Sequence, residues 1–412
     1  MAVAFGPFEI DRALGRGGMG EVFLARRRDD PTNHTIVLKR LRPEVATEDE
    51  YQKRLMFEAQ VAARLDHPNL VKLIELGQVG DCLYLTMEQV RGHSLRRLLG
   101  QAMDAAEPAP PTVSLTLAGG LLEGLSVMHG ARDESGVARP ILHRDVKPSN
   151  VIVSLDGRAV LIDFGIAKDT YGPAITQLGR VVGTARYMAP EHRKGEFAEA
   201  PADVFSVSVV LWELLTARRP WPSLPASKEI LRTVFDPPEV DDVVRRTIPP
   251  DVLQVVLRGL EDDPEKRWPD AVAMLSALRA TGTYSQVESD EHRFEAVRAW
   301  VASTELSPDY ELDDMVIDNA PSRQSQDLEP MAWNARGHLA PEEEAQADYP
   351  TVPPPSEVLS IPPLPPRRDA SLRTSEFLVP AGLDRGKHLR WVALSALGLV
   401  GAVLGYWFSS SS

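Results

Sequence analysis

Two stretches of this chain hold residue types suited to moving a phosphoryl group: His143-Arg144-Asp145-Val146-Lys147-Pro148-Ser149-Asn150 and, a short apolar run later, Asp163-Phe164-Gly165. Asp145 can accept a proton from a hydroxyl, and Asn150 and Asp163 offer hard oxygen atoms of the kind Mg²⁺ prefers. Lys147, two residues past Asp145, can steady negative charge on a transferring group. A base, two ligands and a cation in this order point to phosphoryl-transfer chemistry.

Such chemistry needs a nucleotide site and a frame to hold it. In Gly15-Arg16-Gly17-Gly18-Met19-Gly20-Glu21-Val22 the missing side chains let backbone N–H groups come close to phosphate oxygens. A dinucleotide-binding turn would be followed by a helix and, about twenty residues on, by an acid. Here Val22-Phe23-Leu24 reads as strand, and the residue at the useful distance is Lys39. Alternating or compact apolar runs predict strands over 21–25, 35–41, 70–77 and 82–89. One helix over 50–65 interrupts them, with Leu55, Met56, Ala59, Ala62 and Ala63 at helical spacing and His67-Pro68-Asn69 as its stop. From Ser94 the pattern is mainly helical, clearest over 115–128, 201–215, 252–259 and 271–280, and 104–111 and 131–140 read as surface loops. The reading is α+β in two lobes: a small strand-rich lobe with one helix over 8–90, then a mainly helical lobe over 91–280.

The 412 residues carry a formal charge of −14, and the excess sits mainly late in the chain, where acids between Glu305 and Asp348 face only Arg323 and Arg336. No basic or aromatic cluster forms a nucleic-acid footprint, so DNA and RNA are discounted as partners. The single cysteine, Cys82, excludes an internal disulfide framework and suits a reducing cytosol. The start, Met1 to Pro7, has neither the basic nor the long apolar part of a signal peptide.

Taken together and in order, these motifs resemble those of protein kinases, specifically the bacterial eukaryotic-like (Hanks-type) serine/threonine kinases, over roughly Phe8 to Ala280. The resemblance implies an ATP site made by Leu14, Gly15, Gly17, Gly18, Gly20, Val22 and Val37. Lys39, in Ile36-Val37-Leu38-Lys39, would pair the α- and β-phosphates, with Val37 where alanine is commoner, and Glu58 would hold Lys39. Met87 would be the gatekeeper, and the backbone of Glu88 and Val90 would meet the adenine edge. Asp145 becomes the base and Lys147 its companion, while Asn150 and Asp163 become Mg²⁺ ligands. Lys147 and Gly183-Thr184-Ala185-Arg186-Tyr187 resemble the serine/threonine branch, with Thr184 bracing Asp145 and Lys147. Glu191 and Arg267 are implied as a structural ion pair, and Asp203 as the anchor of the catalytic loop, with Ser208 where glycine is usual. Arg144 before the base implies control by phosphorylation of the activation loop, at Thr176 or, second, Thr170.

Behind the lobes, 281–388 is acidic and proline-rich and is read as a disordered linker. The uncharged run 391–408, inside a membrane helix assigned to 389–408, would span about 27 Å as a helix. Arg385, Lys387 and Arg390 precede it, which leaves the lobes in the cytoplasm at the inner membrane and 409–412 outside. Gly401 and Gly405 share a helix face and allow a homodimer; Pro353-Pro354-Pro355 and Pro362 to Arg367 favour an extended polyproline II tether, and the second allows a proline-binding partner. The competing reading is a catalytically silent pseudokinase scaffold, against which Lys39, Glu58, Asp145, Asn150 and Asp163 are all present. A small-molecule kinase would not need Gly183-Thr184 or so long an activation segment.

Overall fold

The computed structural model describes residues 3–16, 20–42, 46, 49–132, 136–163, 184–222, 236–287 and 289–304. The first lobe is built on six antiparallel strands, β1 (Val3–Phe5), β2 (Phe8–Arg16), β3 (Gly20–Arg27), β4 (Thr35–Leu41), β5 (Leu73–Val79) and β6 (Cys82–Glu88), in the order β1-β2-β3-β4-β6-β5. Alternation along each strand gives the sheet two apolar faces. One face, with Leu14, Val22, Val37 and Met87, joins helix α1 (Asp49–Ala62) through Leu55, Ala59 and Ala62. The other face has its own small core of Phe5, Phe8, Ile10, Phe23, Leu38, Cys82 and Tyr84, in which Phe5 and Phe8 meet the Tyr84 ring edge-on. Strand β1 closes that second core.

The second lobe begins with β7 (Gly92–Ser94), α2 (Leu95–Ala105) and α3 (Pro111–His129), followed by β8 (Val151–Ser154) and β9 (Ala159–Leu161), which pair with β7 in the order β7-β8-β9. Then come α4 (Pro190–Arg193), α5 (Ala200–Thr216), α6 (Asp242–Thr247), α7 (Pro250–Gly259) and α8 (Ala271–Arg279). Helix α3 is long and apolar enough to cross a membrane, but it is the central helix of this lobe, with Leu117, Leu121, Leu122 and Leu125 fully buried. Its Gly120 and Gly124 let the 69–70 segment lie against it, since a Cβ at Gly120 would stand 2.6 Å from Asn69 Nδ2. Asn69 in turn donates to the Ala159 carbonyl (2.7 Å), and Val71 to that of Leu161 (2.9 Å), so the β8–β9 hairpin is held at its base.

The two-lobe α+β reading holds, with differences at the edges. The strand expected from residue 70 starts at Leu73, because 70 and 71 instead bridge to β9. The acidic linker expected from 281 opens with two helices, α9 (Gly282–Ser285) and α10 (Asp290–Ser303), each N-capped by a hydroxyl, Thr281 and Ser289. They stay folded because they pack on α3: Tyr284 covers Gly119, and Val297 is fully buried. Helix α10 also grips the hairpin turn, where the Arg158 guanidinium lies 4.6 Å over the Phe294 ring and Arg298 donates to the Asp156 carbonyl (3.3 Å). Gly157 has φ +92° there, and a Cβ on it would stand 2.5 Å from the Phe294 carbonyl oxygen.

Candidate active site

Strand alternation turns Val37 and Lys39 toward α1 and Leu38 and Arg40 the other way. Glu58 lies on the α1 face that meets the sheet, so the two long side chains converge. Lys39 Nζ donates to both Glu58 oxygens (2.8 and 3.1 Å) and to Asp163 Oδ1 (2.8 Å). Burial alone would push the Lys39 ammonium down, but Asp163 and Glu58 override it and hold its pKa above the ordinary value. Burial lifts the Glu58 carboxyl; Lys39 opposes the shift and Asp163 adds to it, and the net direction is upward.

The catalytic loop hangs from one buried carboxylate. Asp203, near the start of α5, accepts from the backbone N–H of His143 (2.8 Å) and of Arg144 (2.7 Å), and its Oδ2 lies 3.0 Å from His129 Nε2. Burial would raise the Asp203 carboxyl, yet His129 and the charge and N–H of His143 outweigh it and keep it below the usual range. Arg144 is left-handed (φ +61°), a strained state for a non-glycine residue that these two N–H bonds hold in place. The backbone then turns so that Asp145, Lys147 and Asn150 face one another, all buried. Asn150 Nδ2 donates to the Asp145 carbonyl and to Asp145 Oδ2 (both 2.9 Å), and Lys147 Nζ is 3.4 Å from the same Oδ2. The Ile162 N–H bonds the Asn150 carbonyl (3.0 Å), which ties Asp163 to Asn150 across the hairpin ends.

The predicted site residues thus fall into two joined groups, Lys39–Glu58–Asp163 and Asp145–Lys147–Asn150, beneath a sheet face carrying Leu14, Val22 and Val37. Gly15 is next to last in β2 and Gly20 opens β3, while Gly17 and Gly18 lie outside the described residues. So do Phe164, Gly165, Thr170, Thr176 and Gly183. Thr184 begins a single helical turn to Tyr187, and its side chain is likewise outside them. Val90 is half-buried against the main core, and the Glu88 N–H donates to the Lys72 carbonyl (3.0 Å). Away from this site, Arg267 meets both Glu191 oxygens (2.8 Å each) and donates to the carbonyls of Glu261, Pro201 and Asp262. Ser208 fits where glycine is usual because Gly259 leaves the room: a Cβ there would collide with Ser208 Oγ at 1.9 Å.

Sequence reasoning missed two partners. His129, the last residue of α3 before Gly130, braces Asp203, and no local pattern marked it. Tyr187 donates to Glu213 Oε2 (2.8 Å), where burial raises the carboxyl to about 7 against the pull of Tyr187, Arg186 and Arg219.

Residues 8–277 match the protein kinase domain family. Serine/threonine-protein kinase PknD of Mycobacterium tuberculosis is 34% identical over 284 residues, 68% of this chain and 40% of PknD. Serine/threonine-protein kinase PknH of the same organism is 32% identical over 304 residues, 74% of this chain and 46% of PknH. Tyrosine-protein kinase MasK of Myxococcus xanthus is 33% identical over 278 residues, 66% of this chain and 43% of MasK. The chain therefore spans less than half the length of these curated relatives. With its two lobes, its catalytic loop hung from Asp203 and its Lys39–Glu58 pair, this chain belongs to the protein kinase family.

Proposed function

We propose that this chain transfers the γ-phosphoryl group of Mg·ATP to serine or threonine hydroxyls of proteins, itself included. The observation that carries the reading is the meeting of Lys39, Glu58 and Asp163 beside the hydrogen-bonded Asp145–Asn150–Lys147 group. Lys39 is the cation for the α- and β-phosphates, preset by Glu58. The Glu88 N–H is committed to Lys72, so its adenine contact is made by the carbonyl, with Val90 beside it.

The donor set fits a divalent cation. Asn150 spends its amide N–H₂ on Asp145, which leaves its oxygen for a metal, and Asp163 adds a carboxylate. Among the described residues no group of three or more His, Cys, Asp or Glu could hold a metal alone. A cation held by Asn150 and Asp163 would neutralise charge on the phosphate oxygens, the chemistry Mg²⁺ supplies. Asp145 Oδ2 accepts the proton of the incoming hydroxyl, and Lys147, 3.4 Å from that oxygen, stabilises the transferring charge.

The serine/threonine assignment rests on Lys147 and on Gly183-Thr184, and MasK, named a tyrosine kinase, supplies the second reading. Phosphoamino-acid analysis after incubation of the full chain with labelled ATP separates them: phosphoserine and phosphothreonine support the first, phosphotyrosine alone the second. The Asp145→Asn variant loses transfer while retaining ATP binding; undiminished transfer removes Asp145 as the base. Absence of any transfer by the wild-type chain incubated with Mg·ATP would favour the scaffold reading instead.

Arg144 and the threonines 176 and 170 are read as the phosphorylation switch, with Thr176 first. Residues 389–408 are read as a single inner-membrane span behind a proline-rich tether, with the kinase lobes cytoplasmic, a homodimer contact at Gly401 and Gly405, and a proline-binding partner at 362–367. These segments lie outside the described residues, and their support is the uncharged run with its basic flank. Mass spectrometry of active protein tests Thr176, and membrane fractionation with and without 389–412 tests the span.

A further inference from the structure

The strand registers align Arg16 opposite Glu21 and Glu21 opposite Arg40, so one charged row crosses β2, β3 and β4. This is the last row paired between β2 and β3 before residues 17–19 of the glycine-rich segment. Glu21 serves both neighbours: Oε1 lies 3.3 Å from Arg16 Nε, and Oε2 accepts from Arg40 Nη2 (2.6 Å) and Nε (3.2 Å). The row lies on the sheet face opposite Lys39, because Arg40 follows Lys39 directly in β4.

Arg40 is fixed. It is 1% exposed, and its guanidinium lies 5.3 Å from the Phe5 ring and 5.4 Å from that of Phe23. A buried guanidinium needs its counter-ion, so Glu21 is fixed as well. Arg16 is the exposed end of the row, with 46% of its side chain accessible. Through Glu21, the strand that enters the glycine-rich segment is tied to the strand that carries Lys39.

We propose that Glu21 is a positioning residue, which with Arg16 and Arg40 sets the spacing between Lys39 and the ends of β2 and β3 that flank residues 17–19, for the phosphates of the nucleotide. The inference rests on the reading of this segment as the phosphate cover. Backbone donors aimed at phosphate oxygens gain from fixed stems, whereas an adenine slot on the other side of the strands does not depend on this row.

The test uses the full chain and calorimetric binding of two probes, Mg·ATP and adenosine, beside thermal unfolding. Arg16→Met leaves the buried Glu21–Arg40 pair intact; it is expected to weaken Mg·ATP about threefold, with adenosine affinity and unfolding midpoint unchanged. Glu21→Gln is expected to weaken Mg·ATP further and to lower the midpoint, since Arg40 loses its counter-ion. In the Glu21→Gln background, Arg16→Met is expected to add nothing. Unchanged ATP affinity in Arg16→Met overturns the proposal, as does an equal loss for both probes or an undiminished Arg16 effect without Glu21. If Glu21→Gln does not fold, the two probes on Arg16→Met decide. A wild-type chain that binds no Mg·ATP would instead sink the nucleotide reading itself.

Discussion

Two buried ion clusters in this molecule use the same chemistry to opposite ends. Arg267 and Glu191 match one guanidinium to one carboxylate with two parallel bonds, and three backbone carbonyls take further Arg267 donors. The Phe205 ring lies 4.9 Å from that guanidinium. The Lys39 cluster sets one ammonium between two carboxylates, Glu58 and Asp163, and the Asp163 side chain is 26% exposed. A closed, balanced pair fastens structure, whereas an unbalanced cluster with one accessible member can exchange partners when phosphates and a cation arrive.

The largest effect that would sharpen this contrast is on activity. Lys39→Met should reduce phosphoryl transfer by roughly 10²–10³-fold. Its unfolding midpoint should move little, because Glu58, already shifted upward by burial, takes a proton in place of its partner. A large loss of stability would break the comparison. Arg267→Met should do the reverse, costing about 3–5 kcal/mol in urea unfolding by leaving Glu191 buried and uncompensated.

Glu213 is an intermediate case, a buried carboxyl bonded to a neutral phenol. Its pKa rises from 4.5 to about 7 on folding, through burial against the opposing pull of Tyr187, Arg186 and Arg219. The folded form then holds a proton that the unfolded chain gives up, so the stabilisation is complete below 4.5 and is lost as pH rises toward 7. Glu213→Gln should flatten the stability profile in that window by on the order of 3 kcal/mol, measured as unfolding free energy against pH. An unchanged profile would remove the shift. The smallest effect is Tyr187→Phe, which deletes one hydrogen bond and should cost about 1 kcal/mol by the same assay.

The site was legible because its parts are local words: His143 to Asn150 is one loop, and Lys39 and Glu58 sit in a strand and a helix with clear periodicity. What joins them is not local. Asp203 was named as the loop's anchor, but His129 is 74 residues from it and belongs to an apolar helix that offers no hint of a partner. Strands β7, β8 and β9 are three or four residues long, too short for alternation to register. The second core escaped notice because nothing local marks Arg40 as buried, whereas its guanidinium lies over the rings of Phe5 and Phe23. Helix α9 is only four residues long, and α10, with Asp290, Glu291, Arg293, Glu295 and Arg298, resembles the acidic stretch that follows it.

Helix α10 also sets the shortest version of this protein worth making. A chain cut at residue 277, where the family match stops, would strip Tyr284 from Gly119, Val297 from α3 and the ring platform from Arg158. The hairpin that ends in Asn150 and Asp163 would then face solvent at its turn. Expression trials for soluble enzyme, inhibitor screens and crystals should all carry the chain through Thr304.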